Sequence, residues 1–254
     1  MPTPEVHYRN LLAPHYSWMF GISFDEKVAE QRAVIEPLLT TTPRGMAVDL
    51  GSGPGFQSFA LAQLGFGPIH AIDTSSELLA ELEAHRHQNP NLPILTRTAD
   101  ILTLASVVSP ASAAVVVCMG DTLTHLPSFQ AVRDLFVAIA VTLVPGGLFI
   151  LTWRDLTSEL AGTDRFIPIR SSENIIMTCF LEYTTPTTVQ VHDLVYTRDP
   201  SRGNWALAKS SYPKLRLSPA QIAAELTASG LVPDPPARAG HLSLGVAHKP
   251  ASGI

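Results

Sequence analysis

Cysteine is scarce in this sequence: Cys118 and Cys179 are the only two in 254 residues. Two cysteines cannot build a disulfide framework, and no Cys-x-x-Cys spacing exists for zinc. Charge is sparse as well. Asp, Glu, Lys and Arg make up 15% of the chain and leave a formal net charge of −5, so there is no basic footprint for nucleic acid. No apolar run reaches the length of a membrane span, and the N-terminus has no basic, apolar leader. Internal repeats, low-complexity tracts and long runs of one charge are also missing. What is abundant is hydrophobic residues, at 46%, ample for one large core. A soluble, cytoplasmic globular protein is expected.

The order of apolar runs and breakers predicts alternating strands and helices. Ser23 and Glu26 form a capping-box pattern ahead of a helix with Val28, Ile35, Leu38 and Leu39. Ala47–Leu50 reads as a strand that meets a glycine turn, and Phe56 to Leu64 as the helix that follows. Ile69–Ile72 is a second strand, with Thr74 and Glu77 expected to cap a helix that buries Leu78, Leu79 and Leu82. Ile94–Thr96 and the valine-rich Ala113–Met119 are further strands, the latter buried on both faces. Cys118 inside it reads as a reduced core thiol. A helix from Ser128 and a strand from Leu148 to Trp153 complete the alternation, which implies a parallel sheet covered on both faces. From Ile175 to Leu217, strand follows strand, suggesting an antiparallel insertion. Ser218-Pro219 begins a last helix, closed by Gly230, and Leu242–Ala247 is a closing strand. The expected divisions are an N-terminal helical cap (1–44), a doubly wound Rossmann-like core (45–156), an inserted antiparallel region (157–217) and a return to the core (218–254).

The most informative stretch is Asp49-Leu50-Gly51-Ser52-Gly53-Pro54-Gly55-Phe56. Gly51 and Gly53 suit a dinucleotide turn, but Phe56 stands where close helix packing needs a small residue. The third glycine, Gly55, comes one place early. The turn instead resembles motif I of the class I S-adenosylmethionine-dependent methyltransferases, acid-x-Gly-x-Gly-x-Gly. The resemblance continues with Asp73 after the second strand, Asp100 after the third, and Val144-Pro145-Gly146-Gly147 before the fifth. It implies a seven-stranded core. It also implies a cofactor site in which Gly51, Ser52, Gly53 and Gly55 approach the methionine part, while Asp73, beside Thr74, accepts both ribose hydroxyls. Asp100 and the backbone of Ile101 would meet adenine. A carboxylate suits a vicinal diol because it only accepts. Asp49 either touches the ligand or braces the turn.

The loops after the fourth and fifth strands, Met119-Gly120-Asp121-Thr122-Leu123-Thr124-His125 and Trp153-Arg154-Asp155, are where such enzymes place the acceptor. They look closest to glycine/sarcosine N-methyltransferase-like small-molecule enzymes. The Asn-Pro-Pro-Tyr motif of enzymes that act on nucleobase or glutamine nitrogens is absent. Met119, Gly120 and Asp121 would complete the cofactor site. His125 would be a base or a binding residue, or simply a loop histidine, and Arg154 would take a substrate carboxylate or pair with Asp155. No metal site is expected, since the Asp-Asn pair of magnesium-dependent O-methyltransferases is Asp155-Leu156 here, and His85 and His87 face different ways on a helix.

The aromatic N-terminal run, with Tyr8, His15, Tyr16 and Trp18, reads as a lid over cofactor and acceptor. Arg165, Arg170, Tyr183 and Tyr212 of the insertion either complete the pocket or make a dimer contact. The resulting expectation is methyl transfer to a small-molecule acceptor, most readily an amine nitrogen, with S-adenosylhomocysteine as product and neither nucleic acid nor membrane as partner. O-methylation of a phenol or carboxylate, or cofactor binding without transfer, are the alternatives.

Overall fold

The computed structural model describes residues 3–251. Its helices are α1 (Pro4–His7), α2 (Phe24–Ile35), α3 (Phe56–Gln63), α4 (Ser76–Gln88), α5 (Leu104–Val107), α6 (Phe129–Thr142) and α7 (Pro219–Ala228). The strands of the core are β1 (Met46–Leu50), β2 (Ile69–Asp73), β3 (Ile94–Thr98), β4 (Ala113–Cys118) and β5 (Leu143–Trp153). The insertion supplies β6 (Phe166–Ser171), β7 (Ile175–Tyr183), β8 (Thr188–Arg198) and β9 (Trp205–Leu215). After α7 come β10 (Val232–Pro233), β11 (Ala237–Ala239) and β12 (Leu242–His248).

The main sheet runs β10-β12-β5-β4-β1-β2-β3, with β11 paired to β12 beside this path. β1 to β5 pair in parallel, whereas β12 lies antiparallel to β5. From β1 the chain runs outward through β2 to β3, and from the neighbouring β4 it runs the other way to β5, so the connections after β1 and β4 leave to opposite sides. Ligands bind at the carboxyl ends of strands at such a switch point. Every residue of β4 is buried, because helices cover both faces. One face carries α6, whose Val132, Leu135, Phe136 and Ile139 are at most 1% exposed. Burying each such side chain contributes about 1.5–3 kcal/mol. The other face is covered by α2, α3 and α4 through Val28, Phe59, Leu61, Leu79 and Leu82.

The local signals read from the sequence mostly meet their expected places. Ser23 and Glu26 make a reciprocal capping box on α2, and Leu78, Leu79 and Leu82 are buried. Ser218 and Gln221 box the start of α7. The cap of α4 is a correction: Ser75, not Thr74, occupies the N-cap, its hydroxyl accepting from the Leu78 N–H at 3.3 Å. The first strand of the inserted region, β6, starts at Phe166, ahead of the strand run expected from Ile175 and within the expected 157–217, and it pairs with β7. Both cysteines are buried free thiols, and burial pushes each up to about 12.

The N-terminal segment is tied down at several points. His7 is fully buried and its Nε2 lies 2.9 Å from Asp193 Oδ2 on β8. Arg170 of β6 donates to the Trp18 carbonyl and lies over the Trp18 ring. Ser17 donates to Glu81 of α4 at 2.5 Å. No described helix is long and apolar enough to cross a membrane.

Candidate active site

The carboxyl ends of β1, β4 and β5 open into a cavity of about 690 Å³. The cap supplies Tyr8 and Tyr16 to its wall, α2 supplies Lys27 and Glu30, and the insertion supplies Cys179, Asp193, Tyr212 and Lys214. The turn from β11 to β12, with His241, borders it.

The glycine turn shapes one side. Gly51 has φ +71°, and a Cβ there would lie 2.4 Å from Thr122 Cγ2. Gly55 has φ +98° and a Cβ would lie 2.6 Å from Leu82 Cγ, so this glycine serves close packing beneath α3 rather than the cavity. Asp49 is likewise not a wall residue. It is 1% exposed, takes a hydrogen bond from Ser58 Oγ at 2.7 Å, and leaves Oδ1 without a partner. Burial pushes its carboxyl up to about 7, with Asp73 adding repulsion. Because the folded-state value exceeds the unfolded one, stability is present at low pH and lost as pH rises toward 7. Asp49→Asn should therefore gain stability relative to the natural chain as pH rises from about 4 to about 7, and the gain should level off above that, as read from urea midpoints. A constant difference across that range would refute the buried-carboxylate account.

Asp73 sits at the end of β2, half-buried. Its Oδ2 accepts from the Gly53 N–H and its Oδ1 from the Ser75 N–H, both at 2.8 Å. Burial raises its carboxyl, and these N–H groups oppose the rise. Asp100 is exposed and caps the turn Ile101–Thr103, accepting from the Leu102 N–H at 2.9 Å. Neither acid, nor Thr74 or Ile101, lines the cavity; Ile101 is in the core below α6.

Beyond the turn, Asp121 is the hub. Its backbone has φ +136°, unusual for a side-chain-bearing residue. Its Oδ1 accepts from the Arg154 N–H at 2.9 Å and from Thr124 Oγ at 3.0 Å, and its carboxylate pairs with Lys214. The Lys214 cation, with Arg154, holds the Asp121 carboxyl below its ordinary range against the opposing effect of burial. Gly120 donates to Thr152 Oγ at 2.8 Å, which ties the loop to β5.

His125 is half-buried and stacks on Tyr212, with ring centroids 5.3 Å apart and planes 19° from parallel. Tyr212 also packs against His7, with ring centroids 4.2 Å apart. Tyr8 Oη lies 3.5 Å from His125 Nε2, and His125 Nδ1 has no partner. Burial, then the Lys214 charge, pull the imidazole down to about 3, so it is neutral at physiological pH. Burial also holds the phenols of Tyr8, Tyr16 and Tyr212 above their ordinary value, keeping them protonated.

Residues 47–147 match a family model described as a methyltransferase domain. The whole chain also has the fold of solved methyltransferases. It aligns with the CcbJ methyltransferase of Streptomyces caelestis at 19% identity and TM-score 0.76, covering 97% of this chain and 99% of that one. An amino pentose methyltransferase of Micromonospora echinaspora gives 15% identity and TM-score 0.71, over 93% and 95% of the two chains. A sugar N-methyltransferase of Streptoalloteichus gives 15% and 0.69, over 95% and 92%. No curated protein matches the chain in sequence.

The residues around the glycine turn suit a cofactor such as S-adenosylmethionine. Ser52 Oγ is a buried hydroxyl on the glycine turn with no partner in the protein, and Asp73 keeps acceptor capacity beyond its two N–H contacts. Of the residues predicted from sequence, the cavity unites Gly51, Ser52, Met119, Gly120, Asp121, His125, Arg154, Tyr8, Tyr16 and Tyr212. It leaves out others. His15 packs edge-on to Trp18 outside the wall, and Arg165 lies over Phe180. Tyr183 accepts from the Leu160 N–H at 3.1 Å, also away from the cavity. Arg154 does not pair with Asp155, which folds onto Thr157 instead. Sequence reading missed Lys214, Asp193 and His7. The alternation along β8 and β9 was the available signal, but it needed the register to show which residues face inward.

Proposed function

We propose that this protein is a methyltransferase that transfers the methyl group of S-adenosylmethionine to an amine nitrogen of a small molecule, releasing S-adenosylhomocysteine. When bound, the cofactor supplies an electrophilic methyl group on a sulfonium. The chain has then to bind the acceptor, orient it in line and exclude water. Tyr8, Tyr16 and Tyr212 enclose the place between the glycine turn and His125, and the cap closes it from above.

One observation carries the preference for nitrogen: the cavity's imidazole, His125, is held down to about 3. So weak a base cannot hold a phenol's proton, whose ordinary value is about 10. A neutral amine already carries a lone pair and needs no base at the attack step. It gives up its proton only after the nitrogen has become cationic. Neutral His125 and the Tyr8 hydroxyl can accept hydrogen bonds from amine N–H groups and turn the lone pair toward the methyl. Aromatic faces and the Asp121 and Asp193 carboxylates suit a nitrogen that gains positive charge. The fold neighbours named for an amino pentose and for sugar nitrogen support the same reading, as does the likeness of the 120–126 loop to glycine/sarcosine-type enzymes.

Mass spectrometry of products from a panel of amines, phenols and carboxylic acids tests it: methylated amines are expected, and O-methyl products alone would overturn it. His125→Ala should lower turnover by about 10²-fold or more while calorimetric affinity for S-adenosylhomocysteine stays within about twofold. A parallel fall in affinity would move His125 to the cofactor side.

A further inference from the structure

Among the described residues, every charged side chain in the cavity wall has a hydrogen-bonding or ionic partner for its charged group except one. Lys27 pairs with Glu30 at 2.8 Å, Lys214 with Asp121, and Asp193 with His7 at 2.9 Å. Arg154 pairs with no carboxylate among the described residues, and its Nε is buried without a hydrogen-bond partner. A buried donor left unsatisfied costs about 1–3 kcal/mol, more when it is charged. Such a group in a cavity wall is explained when a ligand completes it.

The arginine is also firmly based. It follows Trp153, whose indole N–H donates to the Leu217 carbonyl at 2.8 Å, and its own N–H is held by Asp121. His241 stands at the cavity mouth on the β11–β12 turn. Burial lowers its imidazole first, and the positive charges of Arg154 and Lys27 lower it further. Arg154 and Lys27 thus bring positive charge to one end of the cavity, Arg154 without a carboxylate partner, and the His241 imidazole stands beside them as a hydrogen-bonding group. That field favours an anion.

Position decides which molecule brings the anion. β4 separates β5 from the glycine-bearing β1, so the β5 end stands two strand spacings, roughly 10 Å, from the turn. Asp121 lies between them and would repel the methionine carboxylate from that side. His125, by contrast, flanks the same Asp121.

We propose that Arg154, with His241 across the mouth, binds a carboxylate or phosphate group of the acceptor. The acceptor is then an anionic amine, its nitrogen at His125 and its charged group at the β5 end. The planar guanidinium matches either anion with two parallel N–H bonds. This inference rests on the amine-methylation reading given above.

The test is titration of inorganic phosphate and of acetate into the full chain by calorimetry, with and without S-adenosylhomocysteine. At least one anion should bind, and Arg154→Gln should weaken it by at least about tenfold, 1.4 kcal/mol. Arg154→Lys should recover only part of the loss, because it restores the charge without the fork. His241→Gln, at an exposed position, should weaken the same anion with no effect on folding. S-adenosylhomocysteine should bind all four proteins alike. Three results overturn the proposal: neither anion binds the natural chain, the anions bind Arg154→Gln undiminished, or S-adenosylhomocysteine affinity falls with Arg154. The last would assign the arginine to the methionine carboxylate. Failure of S-adenosylhomocysteine to bind the natural chain strikes the function instead, and the anion titration without it still decides the site.

Discussion

Replacing Asp73 with alanine is expected to weaken S-adenosylhomocysteine binding by at least about tenfold, on the order of 1.4 kcal/mol. Two losses combine. The proposed ribose acceptor disappears, and so does the carboxylate that holds the Gly53 N–H at 2.8 Å and the Ser75 N–H at 2.8 Å. Hydrogen bonds to a charged group are worth about 1.5–3 kcal/mol, so either loss alone reaches the threshold. Asp73→Asn separates them. The amide keeps one acceptor for the turn but brings a donor where the diol needs acceptance. Calorimetry should place it between the natural chain and alanine. Unchanged affinity in Asp73→Ala would remove Asp73 from the cofactor site.

The largest effect on stability is expected at Asp121. Its pairing with Lys214 is buried, with side-chain exposures of 12% and 11%. Asp121→Ala strands the lysine charge and frees the Arg154 N–H and Thr124 hydroxyl together. Removing one member of a buried pair costs about 3–5 kcal/mol, which urea denaturation would register as a lower midpoint at unchanged slope. Adding Lys214→Met should restore most of the loss, since an apolar pair of similar volume avoids the desolvation penalty. If the single variant keeps the natural midpoint, the pair is exposed to water and the loop is not anchored there.

The two sites differ in how far they could be read from the sequence. The glycine turn, Asp73 and the strands around them follow from short-range rules: backbone that needs positive φ, an acid at a strand end, apolar runs of strand length. Even there, a one-residue choice failed, because Thr74 and Ser75 are equally good caps by type and only the helix phase separates them. The acceptor side follows long-range rules. Lys214 and Tyr212 face inward because β9 pairs with β8 in a register that matches Tyr212 to Val191 and Lys214 to Val189. A shift by one residue would turn both outward. In the cap, a wide turn at Tyr8–Leu12 and tighter turns at Ala13–His15 and Trp18–Phe20 break any simple period. That is why Tyr8 and Tyr16 reach the cavity while His15 and Trp18 do not.

The column of His7, Tyr212 and His125 draws its three rings from the cap, the insertion and the core. Its members are separated by more than a hundred residues of chain at one step and by nearly ninety at the next. The donor turn, by contrast, is a few consecutive residues. Changes in the cap or the insertion can therefore reshape what the pocket admits while leaving the turn proposed to hold the methyl donor untouched. One scaffold of this design can diversify its acceptors without having to reinvent its chemistry.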